Sequence, residues 1–222
     1  MEEKFIKNFI EEQKHKEFIR EEKFGEELFD KIDSLLKIYI VPFSISQEKI
    51  DFLSEKIKSW VAQNHYFNNN WHFFINGIRV MDVIEENNRD NLSCVLSLFK
   101  NATISYCKKL SYSNSKEKFI APQKIKSDIG DFMPIAGKFY GKLELNLPVK
   151  IYLELIRVNG SVLDLSGLNI PEKYSLELNG KWKKENLFLS EKASTEEIFK
   201  DYPKVEKKIR NRFAQAFGLW EL

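Results

Sequence analysis

Phe139-Tyr140-Gly141-Lys142-Leu143-Glu144-Leu145-Asn146-Leu147-Pro148-Val149-Lys150-Ile151-Tyr152-Leu153-Glu154-Leu155 is the stretch on which the reading of the fold turns. Phe139, Gly141, Leu143, Leu145 and Leu147 alternate with Tyr140, Lys142, Glu144 and Asn146; Val149, Ile151, Leu153 and Leu155 then alternate with Lys150, Tyr152 and Glu154. Successive side chains of an extended chain point to opposite faces, so this period of two predicts strands with one buried and one wet face. Asn159-Gly160 predicts a hairpin into residues 162–165, and Asn179-Gly180 a second one joining 174–178 to 181–189, because Asn-Gly tolerates the positive φ of a tight turn. Strands and turns at this spacing predict an antiparallel meander over 137–190, not βαβ units.

Toward the C-terminus, Ser194-Thr195-Glu196-Glu197 has the form of a capping box, in which a hydroxyl and a carboxylate satisfy two otherwise orphaned backbone N–H groups. Behind it Ile198, Tyr202, Val205, Ile209, Phe213, Ala216 and Phe217 recur every three or four residues. That spacing predicts an amphipathic helix packed on the sheet, with Pro203 kinking or restarting it and Gly218 at the C-cap.

The N-terminal half reads differently. Seven of the nine Gly follow residue 125 and five of the six Pro follow residue 120, and turn residues punctuate β structure more often than helices. Phe5, Ile6, Phe9 and Ile10, then Phe24, Leu28, Phe29, Ile32, Leu35 and Leu36, make helical stripes with a polar break at 11–17. Residues 38–43 suit a short strand. Ser44 or Ser46 is placed to cap a helix over 47–63, whose apolar face is Ile50, Leu53, Ile57, Trp60 and Val61. Asn76-Gly77 predicts a hairpin between 71–75 and 78–81. Residues 92–110, with Val95, Leu96, Leu98, Phe99, Ala102 and Ile104, read as a buried helix. The expected fold is therefore α+β: a mainly helical N-terminal half over 1–126 with one short hairpin, and an antiparallel β-meander plus C-terminal helix over 127–222. The two parts form separate regions or one continuous domain.

The chain of 222 residues is 43% hydrophobic and 31% charged, with 18 Phe, 8 Tyr and 4 Trp. Such a chain buries a core without disulfides or metals, and its composition excludes wholesale disorder. A net charge of +2 is too balanced to indicate a nucleic-acid binder on its own. No apolar run reaches the roughly 18 residues of a membrane span, and the opening Met-Glu-Glu-Lys-Phe-Ile-Lys lacks a secretory pattern. The expectation is a cytoplasmic protein, the alternative being an exported mature chain with an added Met.

Residues 137–191 resemble a small β-meander domain of many uncharacterised bacterial, mostly envelope, proteins. The matching pieces are Phe139-Tyr140-Gly141-Lys142-Leu143, Leu147-Pro148-Val149-Lys150-Ile151-Tyr152-Leu153, Leu178-Asn179-Gly180-Lys181-Trp182 and Leu187-Phe188-Leu189-Ser190-Glu191. The chain departs from that pattern in lacking an export signal and a Tyr-rich strand after the first hairpin. The resemblance carries no catalytic residues over.

Enzyme signatures are sparse. The three histidines, His15, His65 and His72, form no His-x-x-x-His pair and no Cys–His cluster, so no metal and no cofactor is expected. Cys94 and Cys107, thirteen positions apart in a helix over 92–110, would lie about 20 Å from each other, too far for a disulfide. Ser-x-x-Lys occurs six times, which in a chain rich in both is noise. No nucleophile elbow, P-loop or dinucleotide fingerprint occurs. Lys142 and Glu144 suit a surface pair on one strand face. Residues 100–126 contain seven lysines and one acid, while residues 1–36 carry a net −4. Lys108, Lys109, Tyr112, Lys116, Lys118, Phe119, Lys124 and Lys126 are the candidate binding residues, cations and aromatics together suiting an acidic protein face or single-stranded nucleic acid. Lys204, Lys208 and Arg212 share a second basic face, read as an ordinary wet one. The expected function is a non-enzymatic protein-binding module, an inhibitor or immunity-type protein with an acidic partner. A nucleic-acid-binding accessory protein is the second reading, and an enzyme with dispersed carboxylates the third.

Overall fold

Leu35–Pro42 is the strand β1, and all eight of its residues are buried. A strand covered on both faces reads as a continuous apolar run and not as an alternation. β1 is the spine of a seven-stranded sheet built with β2 (Trp71–Phe74), β3 (Gly77–Glu86), β4 (Arg89–Phe99), β5 (Ile104–Lys109), β7 (Pro148–Ile156) and β9 (Leu187–Ser194). The order is β2-β3-β4-β5-β1-β7-β9, and every neighbouring pair is antiparallel. β6 (Phe119–Ile120) and β8 (Val162–Leu163) form a separate parallel pair. The helices are α1 (Glu55–Gln63), α2 (Pro122–Leu143) and α3 (Thr195–Ala216), and a 3-10 turn spans Lys23–Leu28. This computed structural model describes residues 17–18, 23–30, 34–43, 50–63, 71–86, 89–110, 119–164 and 185–217.

The mainly helical N-terminal half is overturned. Among its described residues β1 to β5 dominate, and the meander of the sheet is β2-β3-β4-β5, not residues 137–190. Residues 92–110 are two strands. Their turn has neither Gly nor Pro: Ala102 takes φ 67° and the Asn101 carboxamide oxygen accepts the Thr103 N–H at 3.0 Å. Of the stripe from Phe24 to Leu36, Phe24 and Leu28 lie in a 3-10 turn and Leu35 and Leu36 open β1, while Ile32 lies outside the described residues.

The opposite error falls on 137–143, which close a 22-residue helix. Ile125, Ile129, Phe132, Met133, Ala136, Phe139 and Tyr140 bury one face of α2, and Glu144 ends it in the left-handed region at φ 55°. Its glycines are contacts, not turns. Gly130 faces Glu206, Gly137 faces Ile198 and Tyr202, and Gly141 faces Phe199, so α2 and α3 pack antiparallel along a glycine line.

Other expectations hold. β7 has the expected period, with Val149, Ile151, Leu153 and Leu155 in the main core. Ser194 caps α3 in a reciprocal capping box with Glu197. Ile198, Val205, Ile209, Phe213 and Phe217 are buried, and the helix breaks at Asp201 (φ −145°, ψ 51°), two residues before Pro203. Of the helix expected over 47–63, only Glu55–Gln63 is helical among the described residues, as α1; Ile57 and Val61 are buried as expected, but Ile50 and Leu53 precede the helix and Leu53 is exposed. Asn76-Gly77 lies at the β2–β3 hairpin with the loop one residue earlier, since Phe74 pairs with Gly77; Gly77 is needed there because a Cβ would collide with the Leu98 carbonyl. Asn159-Gly160 is a turn with Gly160 at φ 75°, but the strand that follows pairs with β6 and makes no hairpin. Asn179-Gly180, Gly218 and the caps Ser44 and Ser46 lie outside the described residues. Among those described, no helix is long and apolar enough to cross a membrane.

Candidate functional site

The sheet has two unlike faces. One carries Leu36, Ile38, Ile40, Leu96, Leu98 and Ile104 and is covered by the helices. The other carries Lys37, Tyr39, Phe99, Cys107, Tyr152 and Glu154, and the 3-10 turn lies on part of it. Two features on this frame are built closely enough to be examined as sites.

The first is a charged cluster under the 3-10 turn. Lys37 Nζ, nearly buried, stands 3.2 Å from Glu26 Oε2 and 3.3 Å from Glu154 Oε2. It also lies within 6 Å of the Phe24 and Tyr39 ring centres, close enough for cation–π attraction. Arg157 reaches Glu26 at 3.0 Å and Arg79 reaches Glu27 at 3.1 Å. Phe24 stacks on Tyr39 at 4.4 Å and Tyr39 on Tyr152 at 5.0 Å. Burial opposes ionisation of Glu26, but Lys37 and Arg157 outweigh it and hold the carboxyl below its ordinary value. Burial, then Glu154, pushes the Tyr39 phenol far up. Phe24 (φ 51°) and Arg157 (φ 58°) both occupy the left-handed region, a strain of order 1 kcal/mol each that the ion pairs and stacking hold in place. Each carboxylate meets a cation, so this is a clamp for the turn and not an acid–base pair with a free member. Sequence reading passed over Lys37 because it sits inside an apolar run.

The second feature is a groove of about 580 Å³ lined by Ile50, Asp51, Phe52, Leu53, Phe73, Phe74, Ile75, Gly77 and Lys100. Its walls are stitched by backbone. The Ile50 N–H donates to the Lys100 carbonyl (3.0 Å) and the Lys100 N–H to the Asn76 carbonyl (2.8 Å), while the Leu53 N–H donates to Asp51 Oδ1 (2.9 Å). This course buries Ile50 and Phe52 but leaves Leu53 67%, Phe73 49% and Ile75 85% exposed. Isolated exposed apolar residues are ordinary; here three of them rim one concavity.

The lysine-rich segment is distributed. Lys100 lines the groove. Lys108 lies on the helix-covered face and pairs at 2.5 Å with Asp128, a buried carboxylate whose pKa burial raises against the pull of Lys108. Lys109 is half-buried on the opposite face, the alternation of β5 separating neighbours. Phe119 is half-buried in β6, and Lys124 and Lys126 are half-buried in the first turns of α2. Tyr112, Lys116 and Lys118 lie outside the described residues. Lys142 and Glu144 do not share a strand face; they end α2, and Glu144 pairs with Lys56 at 3.1 Å. Cys94 and Cys107 are free. They sit on adjacent strands one register position apart, on opposite faces, and not a helix length from each other. Burial pushes the Cys107 thiol far up. Among the described residues no three His, Cys, Asp or Glu side chains cluster as a metal site.

Comparison with known proteins finds no matching family model, no similar curated protein and no similar solved structure. Of the four pieces that carry the β-meander resemblance, the first lies in α2, the second leads into and through β7, the third is outside the described residues and the fourth opens β9.

Proposed function

We propose that this protein is a non-enzymatic binding module that captures a protein partner without turnover. The observation that carries this reading is the groove rimmed by Leu53, Phe73 and Ile75, three large apolar side chains held out of the core by hydrogen-bonded backbone. Desolvated apolar and aromatic anchors supply most of the energy of protein interfaces. Lys100 adds one cation to the wall, which suits a partner segment with an acidic group beside its apolar anchor. A cytoplasmic setting and an inhibitor or immunity-type role belong to the same proposal; two cysteines that are both free suit a reducing compartment.

The test uses the full chain as bait in native lysate, against the double variant F73S/I75D. Phe73 is about half exposed and Ile75 largely so, so the variant should melt as the wild type does. The proposal expects a partner retained by the wild type and lost by the variant. Retention of the same partners by both would overturn it.

A further inference from the structure

The outer face of the second half of α3 carries charge of one sign. Beyond the break at Asp201, Lys204, Lys207, Lys208 and Arg212 are exposed, with the amides Asn211 and Gln215 among them. At 3.6 residues per turn these six positions fall in one arc of about 140°, and Lys204 to Arg212 covers about 12 Å of helix axis. The single acid of this half, Glu206, is buried and turned to Arg210. Among the described residues no carboxylate pairs with Lys204, Lys207 or Lys208, while Arg212 reaches Glu191 at 3.2 Å. Along α2 the exposed charges are mixed, Lys138 with Asp131, so the one-signed row belongs to α3.

We propose that this face docks on the phosphate backbone of a nucleic-acid duplex, without reading its sequence. The chemistry of the arc decides among anionic partners. It holds no aromatic or large aliphatic side chain, so a protein interface there would lack its anchor. A single strand would lack the stacking platform that such sites use. Insertion into a membrane surface would need the apolar face of the helix, and here Val205, Ile209, Phe213 and Phe217 are committed to the core. Phosphate contacts need only cations in a row, and amides beside them donate to phosphate oxygens as well. The surface shares no residue with the groove, so this proposal stands or falls apart from the protein-capture reading.

The experiment is titration of a labelled DNA duplex of about two helical turns, followed by anisotropy between about 50 and 200 mM salt. Up to four neutralised phosphates predict a log–log salt slope of about −3 to −4, roughly a 100-fold loss across that range. The variant K204E/K207E/K208E should lose binding yet melt as the wild type does, since the three side chains are exposed and pair with no carboxylate among the described residues. F73S/I75D should bind duplex as the wild type does. Absence of wild-type binding at low salt, an unchanged slope in the triple variant, or tighter binding of a single strand of equal length would each overturn the proposal. Competition by polyglutamate as effective as by duplex at equal charge would replace it with an acidic protein partner.

Discussion

Gly137 of α2 passes so close to Ile198 of α3 that a Cβ at Gly137 would lie 3.1 Å from the Ile198 carbonyl oxygen. Gly130, one heptad earlier on the same helix, would place its Cβ an ordinary 3.5 Å from Glu206 Oε1. Both lie inside α2, so alanine gains the same helix propensity at each, about 0.5–1 kcal/mol. We expect Gly130→Ala to raise the melting temperature by about 2 °C, given 2–4 °C per kcal/mol for a chain of this size. Gly137→Ala should lower it, because backbone has to give way. Equal shifts in the two melts would show that the close approach constrains nothing.

Phe213 is fully buried and packs on Phe217 with ring centres 4.7 Å apart. Phe213→Ala should cost about 3–5 kcal/mol, transfer and cavity terms together. A urea unfolding midpoint unchanged from wild type would mean that α3 is peripheral to the cooperative unit.

These two helices mark where sequence reading succeeds and where it fails. α3 has a capping box at one end and a polar outer face, so its apolar period of 3–4 stands out. α2 has the same period, in Ile125, Ile129, Phe132 and Phe139, but Gly130, Pro134, Gly137 and Gly141 resemble turn punctuation. Only the tertiary contact with α3 explains those glycines, and no local pattern encodes it. β1 and β4 carry apolar residues on both faces, Leu35, Tyr39 and Val41 behind Leu36, Ile38 and Ile40, and Val95 and Phe99 behind Leu96 and Leu98, so their period of two is blurred; the β4–β5 turn at Asn101-Ala102 carries no Gly or Pro to reveal it. Of the two built features, the groove was half legible: Asn76-Gly77 marked the hairpin that forms one wall. The clamp was not, because Glu26, Lys37, Glu154 and Arg157 come from three distant segments and meet only when β1 inserts beside β7.

The cysteines give a simple check of strand faces. Cys94 is partly exposed while Cys107 is buried, its thiol pushed well above its ordinary pKa. The thiolate is the reactive form, so iodoacetamide at pH 8 should modify Cys94 in the native protein and Cys107 only after unfolding. Equal labelling of the two in the native state would contradict the burial of the second face.

Lys37 is the strongest candidate for a pH-dependent contribution to stability. Lys37→Met keeps the length of the side chain but leaves Glu154 without its ammonium and Glu26 with Arg157 alone. Losing one partner of a fully buried pair costs about 3–5 kcal/mol. The Glu26 and Glu154 side chains remain 30% and 18% exposed, so screening brings the expected loss near pH 7 to about 2 kcal/mol. The sign with pH follows from Glu26, whose carboxyl lies below its ordinary value in the folded protein. Its stabilisation is complete above the unfolded pKa and is lost as pH falls through the folded one. In the variant only Arg157 opposes the effect of burial on Glu26, so the pull is weaker and acidification removes less. The stability gap between wild type and K37M, read from urea midpoints, should therefore be widest near pH 7 and narrow toward about pH 3. A gap independent of pH would show that Lys37 acts through packing on Phe24 and Tyr39, and not through its charge.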